Sequence, residues 1–281
     1  MSQPILRFAP SPNGLLHLGH AFSALQTHDW AKGLDGRFLL RIEDIDTARC
    51  KPEFTDAIFE DLAWLGLKWE EPVLRQSNRF AIYRDAANQL AENGWTYPCF
   101  CSRAEIAEAA TGTDPDGAPL YPGTCRHLGR SERERRIAAG DPVQYRLDMP
   151  KLVGKVGVLT FTQAQPSPMD RPQIRYANPA RWGDAVIARK DMPTSYHLSV
   201  VIDDAAQGIT HVTRGRDLEA ATDIHVLLQF LLGLPQPIYT FHRLLLDDDG
   251  DKLSKSRRSM SIRALREQGW TPEDVREAVS L

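Results

Sequence analysis

The start of the chain contains the pattern that most constrains its fold: an apolar run, a turn and a helix in immediate succession. Residues 5–9 are mostly apolar and have the length of a short buried strand. Residues 10–14 include two prolines, an asparagine and a glycine, which favour a turn. Apolar side chains then recur at near-helical spacing from Leu18 to Trp30. We therefore expect a strand whose carboxyl end leads through a turn to the N-terminus of a helix.

Two histidines mark the beginning of this helix. His17 and His20 are three residues apart, so both imidazoles face the same side of the first turn. A helix N-terminus carries partial positive charge and free N–H groups, which suit phosphate. The imidazoles can donate hydrogen bonds to charge developing on the α-phosphate of ATP, and Gly19 lets a flat adenine approach the backbone. The alternative is a strand-to-helix turn with incidental histidines.

A second motif, KLSKS, stands at residues 252–256. Residues 252–266 include six basic side chains and no acidic one. Lysines in a loop with small serines can close over a triphosphate as charge builds on the leaving oxygens. Lys252 and Lys255 are therefore candidate catalytic residues beside His17 and His20. The alternative is a solvated basic loop or a nonspecific phosphate contact.

Charge and hydropathy exclude several classes of protein. The formal net charge is −3, so any contact with nucleic acid must come from local basic patches, for which 252–266 and 126–136 are candidates. The second patch also contains two glutamates and is equally typical of a salt-bridged helix face. We expect no secretory signal from the first residues, and the apolar block 226–234 is too short to span a bilayer. We expect a cytoplasmic protein without membrane contact, whose four cysteines are thiols or metal ligands.

The order of elements predicts an α/β fold with a parallel sheet covered by helices. Strand and helix alternate over residues 1–94 and again over 183–235, so we expect a split catalytic domain. The alternation breaks over 95–182, which we expect to form an inserted α+β subdomain, and 236–281 form a short helical C-terminal segment. Local patterns predict strands over 37–42, 143–147, 156–162, 185–188 and 210–213, and helices over 52–65, 77–94, 194–206 and 218–232, with Pro52 opening the first helix and Ser77 capping the second.

Four polar side chains are expected at the carboxyl ends of the parallel strands, where open α/β sheets bind ligands. These are Arg7, Glu43, Tyr196 and Arg214. Two converging arginines suit a substrate with two carboxylates, because guanidinium pairs with carboxylate in bidentate fashion. Glu43 can take an α-ammonium group. The alternative is a set of surface ion pairs.

The chain resembles the glutamyl-tRNA synthetases, which are class I aminoacyl-tRNA synthetases with a Rossmann-type sheet. Three separated segments carry the resemblance: 7–20 with its two histidines, 193–204, and 208–215. Asn13 stands where a hydroxyl residue is usual in that family. The resemblance implies that Lys255 also serves ATP, which binds with Mg²⁺. It implies a glutamate site and an ATP site with the following members: Arg7, Ala9, Ser11, Glu43, Tyr196 and Arg214 for glutamate, and His17, Gly19, His20 and Lys255 for ATP.

Within that family the chain resembles the truncated glutamyl-queuosine tRNA(Asp) branch, since only 25 residues follow Ser256. The resemblance implies no anticodon-binding domain and activation of L-glutamate without tRNA. It also implies transfer of glutamate to queuosine at the wobble position of tRNA-Asp, by a protein that we expect to be a monomer. The alternatives are a short enzyme that charges a tRNA 3′ end, and a non-catalytic RNA-binding paralogue.

Three cysteines are grouped in the expected insertion. Cys99 and Cys101 precede Cys125 by a loop, and three thiolates with one further ligand fit a tetrahedral structural zinc site. The glutamyl-queuosine branch has a similar arrangement, which implies Cys99, Cys101, Tyr121 and Cys125 as ligands. His127 is chemically the more usual fourth ligand and stays open as an alternative, as does a metal-free cluster of thiols.

Overall fold

A computed structural model of the chain describes residues 3–164, 171–245 and 260–281. Within these ranges no helix has both the length and the apolar character that a bilayer crossing demands. The expected α/β fold with a parallel sheet is confirmed.

The chain begins with three parallel strands and their connecting helices. In order these are β1 (Ile5–Phe8), α1 (Leu18–Gly33), β2 (Arg37–Ile42), α2 (Pro52–Trp64) and β3 (Glu70–Arg75), followed by α3 (Phe80–Glu92). Helix α2 begins at Pro52 as expected, because the fixed φ of proline suits a first helical turn. The expectation that Ser77 caps α3 is wrong. The Ser77 N–H and hydroxyl both donate to Asp44 at 2.8 Å, and the helix starts only at Phe80.

The middle of the chain contributes strands to two different sheets. Its elements are β4 (Thr96–Cys99), α4 (Arg103–Ala109), α5 (Arg130–Ala138), β5 (Gln144–Leu147), α6 (Met149–Val156), β6 (Leu159–Gln163), β7 (Gln173–Ala177) and β8 (Val186–Ala188). Strands β4, β5 and β8 form an antiparallel sheet. The strand expected from residue 156 starts later, because the Asp148 side chain accepts from the Lys151 N–H at 3.4 Å and Pro150 occupies the first turn of α6.

The last elements complete the parallel sheet and add two C-terminal helices. They are α7 (Tyr196–Ala206), β9 (His211–Gly215), α8 (Thr222–Leu232), β10 (Ile238–His242), α9 (Ile262–Glu267) and α10 (Pro272–Ala278). Strand β10 lies between β9 and β6 and is parallel to both, with β7 antiparallel at the edge. The sheets therefore do not divide at residues 95, 183 and 236: β6 and β7 join β9 and β10, whereas β8 joins β5.

The two parallel sets meet where β1 lies beside β9. The Thr210 N–H donates to the Ile5 carbonyl at 3.0 Å, and the Ile5 N–H donates to the Thr210 hydroxyl at 2.8 Å. The strand order is thus β3-β2-β1-β9-β10-β6-β7. The chain adds strands on one side of β1 first and on the other side later, so the strand order reverses between β1 and β9. Open α/β sheets bind ligands at the carboxyl ends of strands flanking such a reversal.

Strand periodicity decides which side chains face each side of the sheet. Leu6 of β1 and Leu40 of β2 are buried against α1, α2, α9 and α10. Because successive side chains of a strand point to opposite faces, Arg7 and Arg41 lie on the other side. There they meet Asp204 of α7, so the alternation that builds the core also brings three charged groups together.

Candidate active site

The carboxyl ends of β1, β2, β9 and β10 open into one cavity of about 610 Å³. All nine described residues expected at the glutamate or ATP site line this cavity: Arg7, Ala9, Ser11, His17, Gly19, His20, Glu43, Tyr196 and Arg214. Lys252 and Lys255 lie outside the described residues. The structure therefore brings side chains from four distant parts of the sequence to one place.

Asp204 organises the arginine from β1. Its carboxylate accepts from Arg7 Nε at 2.9 Å and Nη2 at 3.3 Å, and from Arg41 Nη1 at 2.7 Å. Arg41 is fully buried, and its Nη2 also donates to Glu43 at 3.2 Å. The four groups form a chain in which each carboxylate is paired with an arginine, so desolvation of the charges is compensated.

Burial and pairing shift the pKa values of the two carboxylates in opposite directions. Burial raises the pKa of Asp204, but the charges and hydrogen bonds of Arg7 and Arg41 outweigh it and hold the pKa below its ordinary value. Burial also raises the pKa of Glu43, and here Arg41 and Arg7 compensate only in part, so the pKa stays raised. Asp204 is therefore the firmly ionised member of the network.

Arg214 of β9 carries no carboxylate partner in the described part of the chain. Its Nη1 donates to His225 Nδ1 at 3.0 Å and its Nη2 to the Thr222 hydroxyl at 2.5 Å. The guanidinium lies 5.2 Å from the ring centre of Tyr239 and 5.6 Å from that of Phe241, which stabilises the cation. Its buried Nε has no hydrogen-bond partner among the described residues. Arg214 is thus a buried cation at the cavity that no carboxylate of the described residues neutralises.

The two histidines fix each other and the start of α1. His17 is the N-cap residue, and its Nδ1 accepts from the Gly19 N–H at 3.1 Å. His20 Nδ1 accepts from the His17 N–H at 3.2 Å. Because each Nδ1 is an acceptor, the ring proton of each neutral imidazole resides on Nε2. The two imidazoles thereby fix the start of α1 beside the cavity.

Gly19 has a steric role that the sequence did not reveal. A Cβ at this position would stand 2.9 Å from Cε1 and 3.1 Å from Nδ1 of His17. The absence of a side chain is therefore required by the imidazole, in addition to any space that it leaves for an adenine.

The expected zinc ligands also converge. The Sγ atoms of Cys99, Cys101 and Cys125 all lie within 4.8 Å of one another, and Tyr121 Oη is 3.7 Å from the Cys101 Sγ. Cys99 and Cys125 are buried, whereas His127 is exposed and is not part of this group. Burial raises the pKa of Cys99, but hydrogen bonds from Tyr121, Gln144 and Arg146 lower it overall. The donor set fits a soft divalent cation such as Zn²⁺.

Sequence reasoning missed four residues that hold the arginines. Arg41 and Asp204 pair across 163 positions of sequence, and Thr222 and His225 bind Arg214 from the next helix. The available signals were a charged residue inside the apolar run of β2 and a polar pair at i, i+3 spacing opening α8. Neither signal identifies the residue with which these side chains pair.

Comparison with known proteins agrees with this geometry. The chain is 48% identical over 284 residues to the "Glutamyl-Q tRNA(Asp) synthetase" of Rhodobacter capsulatus, an alignment covering 99% of this chain and 100% of the relative. It is 39% identical to the "Glutamate--tRNA ligase" of Aquifex aeolicus, over 97% of this chain and 56% of the relative. A crystal structure of a glutamate tRNA ligase from Elizabethkingia meningosepticum, in complex with its amino acid, superposes with a TM-score of 0.79 at 27% identity, covering 100% of this chain and 61% of that one.

The chain also matches a family as a whole. Residues 5–281 match the family described as tRNA synthetases class I (E and Q), catalytic domain. The match includes the histidine turn, the two buried arginines that line the cavity, Arg7 and Arg214, and the cysteine group. The chain therefore belongs to the class I tRNA synthetases of the E and Q group, and it is an enzyme of the ligase type.

Proposed function

We propose that this protein activates L-glutamate with ATP in the absence of tRNA and transfers the glutamyl group to queuosine at the wobble position of tRNA-Asp. The observation that carries the activation step is the cavity that joins two buried arginines to a histidine-capped helix N-terminus. The acceptor is inferred from the relative in Rhodobacter capsulatus, whose full length aligns with this chain. We further propose that the protein acts in the cytoplasm as a monomer.

Charge complementarity supports glutamate as the substrate. The buried network of the cavity contains three arginines, Arg7, Arg41 and Arg214, and two carboxylates, Glu43 and Asp204. It therefore retains one positive charge when the acids are ionised, whereas glutamate with two carboxylates and one ammonium group carries one negative charge. A buried site stabilises a ligand that neutralises it and disfavours glutamine, which carries no net charge.

The polar atoms of the cavity can divide the substrate among them. Arg214, a buried cation without a carboxylate partner among the described residues, can pair with a carboxylate of the substrate. Arg7 lines the same cavity beside Ala9 and Ser11, close to the turn that leads to the histidines. Glu43 can accept the α-ammonium group, and its raised pKa will fall once a cation binds beside it.

In the activation step, an oxygen of the α-carboxylate attacks the α-phosphorus of ATP. An O–P bond forms, the bond to the bridging oxygen of pyrophosphate breaks, and pyrophosphate leaves with the bonding electrons. His17 and His20 donate their Nε2–H groups to charge on the α-phosphate, and the α1 N-terminus adds its partial positive charge. Lys252 and Lys255 are proposed to neutralise the leaving pyrophosphate, with Mg²⁺ accompanying ATP. In the transfer step, a hydroxyl of the queuosine cyclopentene ring attacks the activated carbonyl and AMP leaves.

We propose one structural Zn²⁺ held by Cys99, Cys101, Tyr121 and Cys125. Such a metal cross-links two segments of the small core around the cysteines. Cys125→Ser should lower zinc content and thermal stability together, because metal binding is coupled to folding. Cys50→Ser is the control and should change neither. Zinc retained by Tyr121→Phe but lost from His127→Ala would reassign the fourth ligand.

The activation step is tested by exchange of labelled pyrophosphate into ATP with glutamate and no tRNA. Arg214→Ala should reduce exchange about 30-fold or more, since truncating one partner of a buried charged contact costs about 2–5 kcal/mol. Arg130→Ala, at a solvent-exposed position of α5, is the matched control. Exchange that needs added tRNA would contradict the proposal.

The acceptor is tested with modified tRNA. tRNA from cells that cannot make queuosine should accept no glutamate, and removal of the 3′-terminal adenosine should leave glutamylation of queuosine-containing tRNA intact. The competing function is charging of a tRNA 3′ end, which the Aquifex aeolicus relative favours. Loss of glutamylation on trimming, with retention on queuosine-free tRNA, would establish charging instead.

A further inference from the structure

The first turn of α8 holds the guanidinium of Arg214 with two acceptors. Thr222 and His225 are three residues apart and therefore share one face of the helix. Thr222 accepts from Nη2 at 2.5 Å, and His225 accepts from Nη1 at 3.0 Å. Two bonds to two different nitrogens fix the guanidinium plane and do not merely anchor its position.

Only one protonation state of His225 is compatible with this contact. An arginine N–H is always a donor, so Nδ1 of His225 must be an unprotonated acceptor, and the ring proton resides on Nε2. That nitrogen lies 3.3 Å from His197 Nδ1, which accepts in turn. Burial, followed by the charge of Arg214, lowers the pKa of both imidazoles, that of His197 to about 4. Trp182 packs edge-on against His197 at 5.2 Å between ring centres and is the last member of this row of side chains.

The two imidazoles also contact a second side chain that lines the cavity. The Tyr196 ring lies 5.5 Å from the His225 ring and 5.6 Å from the His197 ring, centre to centre. Tyr196 and Arg214 both line the cavity, whereas neither imidazole does. The two histidines therefore act on the site only through their neighbours.

We propose that His225, oriented by His197, is a positioning residue that makes the cavity select a carboxylate over a carboxamide. The inference rests on the proposed function, in which glutamate occupies the cavity. The reacting carboxylate must lie beside the histidine turn of α1, so Arg214, on β9 among aromatic rings, takes the carboxylate of the side chain.

Selection follows from the fixed plane. With both Nη groups bound to α8, the remaining N–H donors of Arg214 point in set directions and require acceptors. A glutamine amide offers one acceptor and one NH₂ donor, and a guanidinium free to rotate could avoid the donor. His225 prevents that rotation. The NH₂ group of a bound glutamine would then face an N–H of Arg214, and two donors cannot form a hydrogen bond.

The test compares two amide substitutions, each of which matches the position of one ring nitrogen. His225→Asn keeps an acceptor at the position of Nδ1, whereas His225→Gln places its amide at the position of Nε2 and removes that acceptor. For each variant, pyrophosphate exchange gives KM for glutamate, KM for ATP and the inhibition constant of glutamine. His225→Gln should raise KM for glutamate about tenfold, as expected for a lost hydrogen bond to a charged group. It should lower the ratio of the glutamine inhibition constant to KM for glutamate by a similar factor, with KM for ATP unchanged. His225→Asn should leave KM for glutamate, KM for ATP and the inhibition constant of glutamine at their wild-type values.

A control separates positioning from loss of stability. Leu227→Ala removes buried apolar volume from the same helix and should lower Tm without changing the glutamine-to-glutamate ratio. An unchanged ratio in His225→Gln, or an equal loss in His225→Asn, overturns the inference. If the wild-type protein shows no glutamate-dependent exchange, the proposed function itself fails, so the two failures are distinguishable.

Discussion

Replacement of Asp204 by asparagine is the most informative single perturbation of this fold. The side chain is 7% exposed and accepts three hydrogen bonds from two arginines, one of which, Arg41, is fully buried. Asp204→Asn preserves the shape of the side chain but leaves Arg7 and Arg41 with one carboxylate between them. Removing one partner of a buried ion pair costs about 3–5 kcal/mol. With Tm falling by about 2–4 °C per kcal/mol in chains of roughly this size, we expect a decrease of about 6–20 °C.

The measurement is thermal unfolding at pH 7 combined with KM for glutamate. KM should rise, because an asparagine amide offers one oxygen acceptor and no charge, so Arg7 loses its ion pair and at least one of the two hydrogen bonds that hold it at the cavity. Glu134→Gln is the control: its ion pair with Arg130 is 2.7 Å long but solvent-exposed, so Tm should not change. A Tm for Asp204→Asn within about 2 °C of wild type would refute the reasoning, because a fold that depends on this pairing must lose more.

Two further predictions concern Asp61 and Gly19. Asp61 of α2 is buried without a hydrogen-bond partner among the described residues, and burial raises its pKa to about 6. The folded state therefore binds the proton more tightly than the unfolded state, and stability falls as pH rises from 3.8 to about 6. Asp61→Asn should raise Tm more at pH 8 than at pH 4. Asp56→Asn, at an exposed position of the same helix, is the control. Equal shifts at both pH values for Asp61→Asn would contradict this. Gly19→Ala should displace the His17 ring and reduce exchange about tenfold or more with little change in Tm, whereas Gly33→Ala at the open end of the same helix should be active.

Local patterns predicted the elements whose signals are themselves local. The strand and histidine turn at the start of the chain and the proline that opens α2 are present as expected. The capping boxes at Ser102 and Thr271 are equally local, because each involves only residues within one turn. Convergence of the cavity residues followed from one rule, that carboxyl ends of parallel strands meet at one edge.

The rest depended on pairing between distant segments. The polar strand β3 lies at an edge, where half-exposed side chains give little apolar signal. Placement of β6 beside β10 joins segments about 75 residues apart, which no window of sequence reveals. For the same reason Asp204 could be recognised as part of a motif but not as the partner of Arg7 and Arg41.

The shared carboxylate of Asp204 also limits how this protein could evolve. Arg7 lines the cavity and Arg41 lies in the interior, yet both pair with the same acid. A mutation that removed Arg7 to admit an uncharged amino acid would leave the buried charges unbalanced. Such a mutation would be selected against for instability before any new activity was gained. Substrate preference at this cavity can therefore drift only through concerted changes, and homologues with other substrates should differ at these three positions as a set.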